Sequence, residues 1–149
     1  METIDIHHDL NAPAETVWAF LENYADIQAW WPKDGPVDID RVEIEGEGVG
    51  LIRHIYNHGM PNAVSEQLDY LDPANRTLKL SIVCDRPAGL LQYRATGKVT
   101  ELNEDRCRLT YHSEFETEPG RVEEARGFLL AAYQLMFTGL EQAAQRQLA

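Results

Sequence analysis

Cysteine is scarce in this sequence, with two residues among 149. Cys84 and Cys107 lie far apart and form no CxxC motif, so the spacing typical of a zinc site or of a dithiol redox site is absent. We expect two buried thiols in a protein of a reducing compartment. A disulfide between the two cysteines is the alternative.

Basic residues are also few. Thirteen Lys and Arg stand against 25 Asp and Glu, which gives a net charge of −12 and a pI near 4.7. Nucleic acids and anionic membrane surfaces are bound by clusters of Lys and Arg. We therefore expect neither of them as a partner.

Long apolar runs are missing as well. No window approaches the ~20 apolar residues that a membrane-spanning helix requires. The start Met1-Glu2-Thr3 has neither the basic residues nor the apolar run of a signal peptide. These absences predict a cytoplasmic protein without stable membrane insertion, whose oligomeric state the sequence leaves open.

The five histidines do not form the pattern of a metal site. They are His7, His8, His54, His58 and His112. The first two point to opposite faces of a strand, and no two of them lie at i, i+4 spacing within a predicted helix. We expect no metal and no cofactor, and we interpret His8 as an inward-facing core residue.

Alternating apolar residues dominate the region from Gly35 to Phe115 and predict six short strands joined by turns. A slip of the alternation near Asp40-Arg41 predicts a β-bulge. Before this region, one strand around Ile4 to Leu10 precedes two short helices, the second from about Tyr24 to Trp30. Consecutive strands joined by short turns pair in antiparallel fashion, so we expect an antiparallel meander.

The last stretch, from about Gly120 to Leu148, predicts one long helix. Its apolar residues recur at three- and four-residue spacing, and Glu123 and Glu124 favour the positive end of the helix dipole. The chain length fits one domain, and this helix is the element large enough to cover the sheet. Small residues along the helix, including Gly139, either leave space for a ligand or pack closely against the sheet.

Four motifs in this order resemble the helix-grip superfamily of START domains, pollen-allergen-like proteins and plant abscisic acid receptors. They are Ala12–Trp18, Trp30–Pro32, Gly48–Arg53 and Glu66–Asp72. The pattern is most similar to bacterial polyketide cyclase/dehydrase-like proteins. The resemblance implies an α+β fold in which an antiparallel sheet of about seven strands curls around the C-terminal helix, with residues 1–149 forming a single ligand-binding domain.

The resemblance also implies an apolar cavity between the sheet and the long helix. The implied ligand contacts are Trp31, Leu51, Arg53, Ile55, Met60, Pro61, Val64, Glu66, Leu68, Leu80, Tyr93, Tyr111, Phe115, Phe128, Ala132, Leu135 and Met136, and the wider lining adds Val37, Ile39, Leu91 and Gly139.

A segment of this cavity wall, Gly59–Ala63, resembles the gate loop of the hormone receptors. The receptors hold the ligand carboxylate with a lysine where this sequence has Trp31, and a second pocket acid falls at Tyr111. These departures argue against that hormone and against a lysine–carboxylate anchor.

The residues themselves single out Glu66, because it interrupts an apolar alternation on the face of Val64 and Leu68. A buried acid must be paired, hydrogen-bonded or protonated. Arg53 lies on the matching face of the neighbouring strand, which predicts a cross-strand pair. The pair is either structural or part of a site in which Glu66 binds a ligand or transfers a proton.

Three functions follow from this pattern. The first is binding of a hydrophobic or aromatic small molecule, with a polyketide cyclase- or dehydratase-like reaction in which Glu66, Arg53, Tyr93 and Tyr111 are the candidate catalytic residues. The second is a non-catalytic carrier or sensor of a lipid, isoprenoid or quinone. The third is a chaperone-linked interaction module with a filled core. The sequence does not decide whether any reaction is catalysed.

Overall fold

The computed structural model describes residues 1–149 and shows one sheet of seven antiparallel strands beside a long C-terminal helix. The strands are β1 (Glu2–Leu10), β2 (Ile39–Glu45), β3 (Ile52–Asn57), β4 (Val64–Asp72), β5 (Thr77–Val83), β6 (Leu90–Asn103) and β7 (Arg106–Thr117). The helices are α1 (Ala14–Glu22) and α2 (Val122–Leu148), with short 3₁₀ helices at Ile27–Ala29 and Pro73–Asn75.

The sheet is a meander of six consecutive strands, and the first strand of the chain pairs with the last of them at one edge. Its order is β1-β7-β6-β5-β4-β3-β2, so every strand from β2 to β7 pairs with its neighbour in sequence. Strand β1 pairs with β7 from Glu2↔Phe115 to Leu10↔Cys107. This architecture confirms the predicted helix-grip fold, and the register shift between Ile39 and Arg41 confirms the predicted bulge.

Helix α2 supplies one wall of the interior. It follows Gly120, whose φ of +80° is a backbone conformation that favours glycine. At 1.5 Å per residue its 27 residues span about 40 Å. The buried face carries Leu129, Tyr133, Met136 and Leu140, at the spacing of one side of a helix. Neither helix combines the length and the apolarity of a membrane span.

The second predicted helix, from Tyr24 to Trp30, is shorter than expected. Only Ile27–Ala29 forms a single 3₁₀ turn. Pro32 disfavours helical geometry in the residue before it, and the chain bends so that the Trp30 side chain is buried. The predicted second short helix is therefore present as one 3₁₀ turn, followed by a buried tryptophan.

Register shifts correct two predictions about which side chains face inward, since an unbroken alternation would place Tyr70 with Leu68 and Leu91 with Tyr93. Tyr70 follows a shift between Leu68 and Tyr70 in the β4–β5 pairing and is 44% exposed. A second shift, at the start of β6, leaves Leu91 exposed and buries Leu90 in its place. Each bulge adds one residue and reverses the alternation beyond it.

Three further residues differ from their predicted burial. Val49, which the alternation of its predicted strand would place inward with Leu51, lies in the loop before β3 and is exposed. Cys84 lies beyond the end of β5 at a φ of +62° and is exposed, whereas Cys107 is fully buried. Burial raises the pKa of the Cys107 thiol to about 11. His8 is exposed, although its ring stacks on Phe137 with centroids 5.4 Å apart.

Candidate functional site

A cavity of about 80 Å³ lies between the sheet and α2 and is called the inner cavity below. Its wall is apolar except for Arg53, Asn57 and Glu66. The full lining is Ile27, Trp30, Trp31, Val37, Ile39, Arg53, Ile55, Asn57, Val64, Glu66, Ile82, Tyr93, Tyr111, Phe128, Leu129, Ala132, Tyr133 and Met136.

The structure brings ten of the expected ligand contacts together in this wall. They are Trp31, Arg53, Ile55, Val64, Glu66, Tyr93, Tyr111, Phe128, Ala132 and Met136, and Val37 and Ile39 join them. Trp31 and Val37 lie in the segment before β2, and the others come from β2, β3, β4, β6, β7 and α2, so the cavity depends on the sheet and the helix at once.

Other expected contacts lie outside the inner cavity. They are Leu51, Met60, Pro61, Leu68, Leu80, Leu91, Phe115, Leu135 and Gly139. The backbone amide of Leu68 donates a hydrogen bond to the backbone carbonyl of Leu51 at 2.9 Å, and both residues lie beyond the Arg53 end of the cavity.

Packing explains several of the remaining positions. Leu80 lines a separate void of about 20 Å³ behind Arg53 and Tyr111. Phe115 is fully buried in the core. The side chain of Leu135 packs against Gly35. Gly139 gives the helix a close approach to the Trp30 carbonyl and to Pro32, so this glycine fills the interface instead of leaving space.

The predicted cross-strand pair is present. Arg53 and Glu66 are register partners on β3 and β4. The Arg53 Nε donates to Glu66 Oε1 at 2.9 Å, and Nη2 lies 2.8 Å from the same oxygen. Because the Glu66 side chain is 18% exposed and borders the cavity, its carboxylate is available to a ligand.

Arg53 is also held from its other side by Tyr24. Its Nη1 donates to the Tyr24 carbonyl at 2.9 Å, and its guanidinium carbon lies 3.8 Å from the centre of the Tyr24 ring. Burial raises the pKa of the Tyr24 hydroxyl. These contacts fix the guanidinium at the inner end of the cavity.

Three tyrosines cover the neighbouring wall. The Tyr93 and Tyr133 hydroxyls lie 2.6 Å apart, and Tyr133 donates to Ser113 Oγ at 2.8 Å. The Tyr111 ring packs on Tyr133 with centroids 4.8 Å apart. Burial raises the pKa of each tyrosine, to about 12 for Tyr133. Their hydroxyls therefore stay protonated at neutral pH.

The Tyr111 hydroxyl differs from the other two because it has no hydrogen-bond partner within the protein, whereas those of Tyr93 and Tyr133 bond to each other. Tyr111 is 7% exposed and borders the cavity. A neutral hydroxyl in this position can donate a hydrogen bond to a carbonyl oxygen.

Sequence reasoning missed Tyr133 and Asn57 as site residues. Tyr133 lies four residues after Leu129 and three before Met136, so helical periodicity could have placed it on the cavity face. Asn57 continues the inward alternation of Arg53 and Ile55 along β3. Ile27, Trp30, Ile82 and Leu129 complete the missed lining.

A wider chamber of about 520 Å³, called the vestibule below, lies outside the inner cavity. Its wall includes Met60 and Pro61 of the expected gate loop, together with Pro87 from the β5–β6 loop. Val64 and Phe128 border both spaces. These two side chains therefore stand between the vestibule and the inner cavity.

Comparison with protein families finds one match, over residues 1–145, to the family described as polyketide cyclase / dehydrase and lipid transport. No curated protein matches the chain.

Solved structures of low sequence identity share the fold. A protein named XoxI from Bacillus cereus is 19% identical and superposes with a TM-score of 0.83, covering 100% of this chain and 99% of that one. Zhui aromatase/cyclase from Streptomyces is 22% identical with a TM-score of 0.76, covering 99% and 96%. Norcoclaurine synthase from Thalictrum flavum is 19% identical with a TM-score of 0.71, covering 95% and 94%.

Proposed function

The chain belongs to the polyketide cyclase/dehydrase and lipid transport family, and from this premise we propose that its inner cavity binds a hydrophobic or aromatic small molecule that carries a carbonyl group. The carbonyl oxygen accepts a hydrogen bond from Tyr111, close to the Arg53–Glu66 pair. The whole chain acts as one ligand-binding domain, because sheet and helix residues jointly form the wall.

The observation that carries this proposal is the unpartnered Tyr111 hydroxyl in an apolar wall. Because the hydroxyls of Tyr93 and Tyr133 are engaged with each other, Tyr111 is the tyrosine of this wall whose hydroxyl can take a hydrogen-bond partner from a ligand. A ligand oxygen supplies that partner, while the apolar lining contributes the free energy of burying the ligand's rings. The arrangement matches the usual make-up of small-molecule sites, which are apolar with a few directed polar groups.

The size of the ligand follows from both chambers. The inner cavity, at about 80 Å³, is smaller than the ~300–1,000 Å³ of typical ligand sites. The vestibule brings the available space into that range once Phe128 turns aside. We therefore place the carbonyl end of the ligand at the Arg53 end of the inner cavity, with its rings or chain extending through this cavity toward the vestibule.

The finer proposal is a cyclase- or dehydratase-like reaction. Glu66 Oε1 is engaged by Arg53, so Oε2 is the oxygen that removes a proton from the carbon next to the ligand carbonyl. The electron pair of that C–H bond moves onto the carbonyl oxygen, which Tyr111 stabilises by its hydrogen bond. The resulting enolate carbon attacks a second carbonyl carbon of the same ligand, and this C–C bond closes the ring. The new alkoxide takes the proton back from Glu66, and later loss of this hydroxyl with a neighbouring hydrogen, as water, leaves a double bond in the ring.

A carrier is the second candidate, and one observation favours it. Arg53, Tyr93 and Tyr133 are already satisfied by protein partners. A self-satisfied network is sufficient to hold a lipid, isoprenoid or quinone without reacting with it. In that case the same cavity only anchors the ligand.

A matched pair of probes tests the proposal. We expect 2-acetylnaphthalene to bind with quenching of tryptophan fluorescence, because Trp30 and Trp31 line the cavity. Its analogue 2-ethylnaphthalene lacks the carbonyl oxygen and should bind about three- to tenfold more weakly, the effect of one hydrogen bond of ~0.5–1.5 kcal/mol. The variant Tyr111→Phe should remove that difference.

Two outcomes would contradict the proposal. The first is that neither probe binds, and the second is that the preference for 2-acetylnaphthalene persists in Tyr111→Phe. Small molecules that co-purify with the protein, identified by mass spectrometry and recovered unchanged after incubation, would favour the carrier over the enzyme.

A further inference from the structure

The structure assigns a second polar recognition point to the inner cavity, at Asn57, and we propose that it holds a hydroxyl group of the ligand. This inference rests on the proposed function and narrows its ligand class. The ligand is then an aromatic molecule with a carbonyl at one end and a hydroxyl at the other.

The Asn57 side chain is buried without being satisfied. The residue is 6% exposed and lines the inner cavity. Its Oδ1 has no hydrogen-bond partner in the protein. The backbone carbonyl, by contrast, accepts from the Met60 amide at 3.2 Å, so the turn after β3 is held without the side chain.

The polar amide of Asn57, buried in an apolar wall, lowers the stability of the folded protein. A buried acceptor without a partner destabilises the folded state, and a leucine of similar size would avoid that cost. No donor of the neighbouring chain reaches Asn57 Oδ1. A ligand group that reaches it offsets the cost when it binds.

The placement of Asn57 along β3 defines the shape of the ligand. Arg53, Ile55 and Asn57 share the inward face of this strand. Arg53 and Asn57 are four steps apart along the strand, which corresponds to about 13 Å between their Cα atoms. Ile55 and its partner Val64 form the apolar middle, so two polar ends flank an apolar segment.

A hydroxyl is the group that fits this position whichever way the amide is turned. The two ends of an asparagine amide, one accepting and one donating, can be exchanged by a flip. A hydroxyl both donates and accepts, so it bonds to either end. A protonated amine or a bare carbonyl would fit only one of the two orientations.

The test adds one hydroxyl to the probe used above. The compounds are 2-acetylnaphthalene and 6-hydroxy-2-acetylnaphthalene, whose oxygen functions lie at opposite ends of the fused rings. Wild-type protein should bind the hydroxylated probe about tenfold more tightly. In Asn57→Leu and in the smaller Asn57→Ala, the two dissociation constants should become equal, because the side-chain amide that distinguishes the two probes is gone.

A control variant and a stability measurement separate recognition from a structural role. Asn103→Leu makes the same change at an exposed asparagine at the end of β6 and should keep the tenfold preference. The melting temperature of Asn57→Leu should equal or exceed that of the wild type, because an unsatisfied group has been removed. A fall of several degrees would assign the side chain a structural role and overturn the inference.

The failure of this inference is distinct from that of the proposed function. Equal affinity of the wild type for both probes, with 2-acetylnaphthalene still dependent on Tyr111, would overturn only the role of Asn57. A tenfold preference that survives in both Asn57 variants would do the same. If neither probe binds, both proposals are overturned.

Discussion

Arg53 is the one cation in the wall of the inner cavity, and its guanidinium is held on two sides. Glu66 accepts from Nε at 2.9 Å, and the Tyr24 carbonyl accepts from Nη1 at 2.9 Å. Arg53 is 7% exposed. A buried charge is tolerated only with such partners, so each partner contributes to stability as well as to the site.

Glu66→Gln should lower the free energy of unfolding by about 1–3 kcal/mol, because the buried Arg53 charge loses its compensating carboxylate. Unfolding in urea, followed by circular dichroism, measures this loss. Glu43→Gln changes an exposed glutamate on β2 and should cost less than ~0.5 kcal/mol. If both variants unfold alike, the Arg53–Glu66 pair contributes nothing to the fold.

The pair was predictable from the sequence because both partners break an apolar alternation, at positions that a meander brings opposite each other. Asn57 obeys the same alternation, but its significance depends on the absence of a partner for Oδ1. That absence depends on every neighbouring side chain. Periodicity identifies the face on which a residue lies, whereas its hydrogen-bond partners follow only from three-dimensional packing.

At the scale of the element, α2 shows how two glycines in one helix can have opposite roles. A Cβ at Gly139 would overlap the Trp30 carbonyl oxygen and lie 2.7 Å from Pro32 Cδ. A Cβ at Gly127 would meet nothing within 4 Å. The first glycine therefore permits the close approach of the Trp30–Pro32 segment, and the second serves no packing purpose.

Gly139→Ala should destabilise the protein by about 1–3 kcal/mol, because the overlap is with backbone and proline atoms that cannot turn aside. Gly127→Ala should instead stabilise it by up to ~1 kcal/mol, the difference in helix propensity between alanine and glycine. Chemical unfolding of the two variants side by side measures both effects. Equal effects of the two changes would contradict the close contact at Gly139.

The elements themselves differ in how far the sequence specifies them. The period-two runs and the long helix predicted every strand and α2, because each pattern extends over many residues. The bulges that expose Tyr70 and Leu91 were not predicted. A one-residue slip reverses the facing of the residues beyond it but leaves the alternation intact on either side. The strand's identity is therefore encoded locally, and its register is set by pairing with its neighbours.

For the whole molecule, the central question is how a ligand reaches a cavity enclosed by the sheet and α2. The vestibule borders the inner cavity at Val64 and Phe128, and its outer wall includes the loop Gly59–Asn62. Gly59 has a φ of +80°, and Pro61 and Asn62 are exposed. We infer that this loop moves when a ligand enters, because few apolar contacts hold it.

Hydrogen exchange should show this difference in mobility directly. Central strands exchange through global opening and exposed loops through local opening, so the amides of Gly59, Met60 and Asn62 should exchange at least about a thousandfold faster than those in the middle of β6 and β7. 2-Acetylnaphthalene at a concentration near its dissociation constant for the wild type should slow exchange in the loop, and it should do so less in Tyr111→Phe at the same ligand concentration, because fewer molecules of the variant are occupied. Loop amides that exchange as slowly as those of β6 and β7 in the free protein would show a rigid loop. A ligand would then have to enter by displacing another part of the wall.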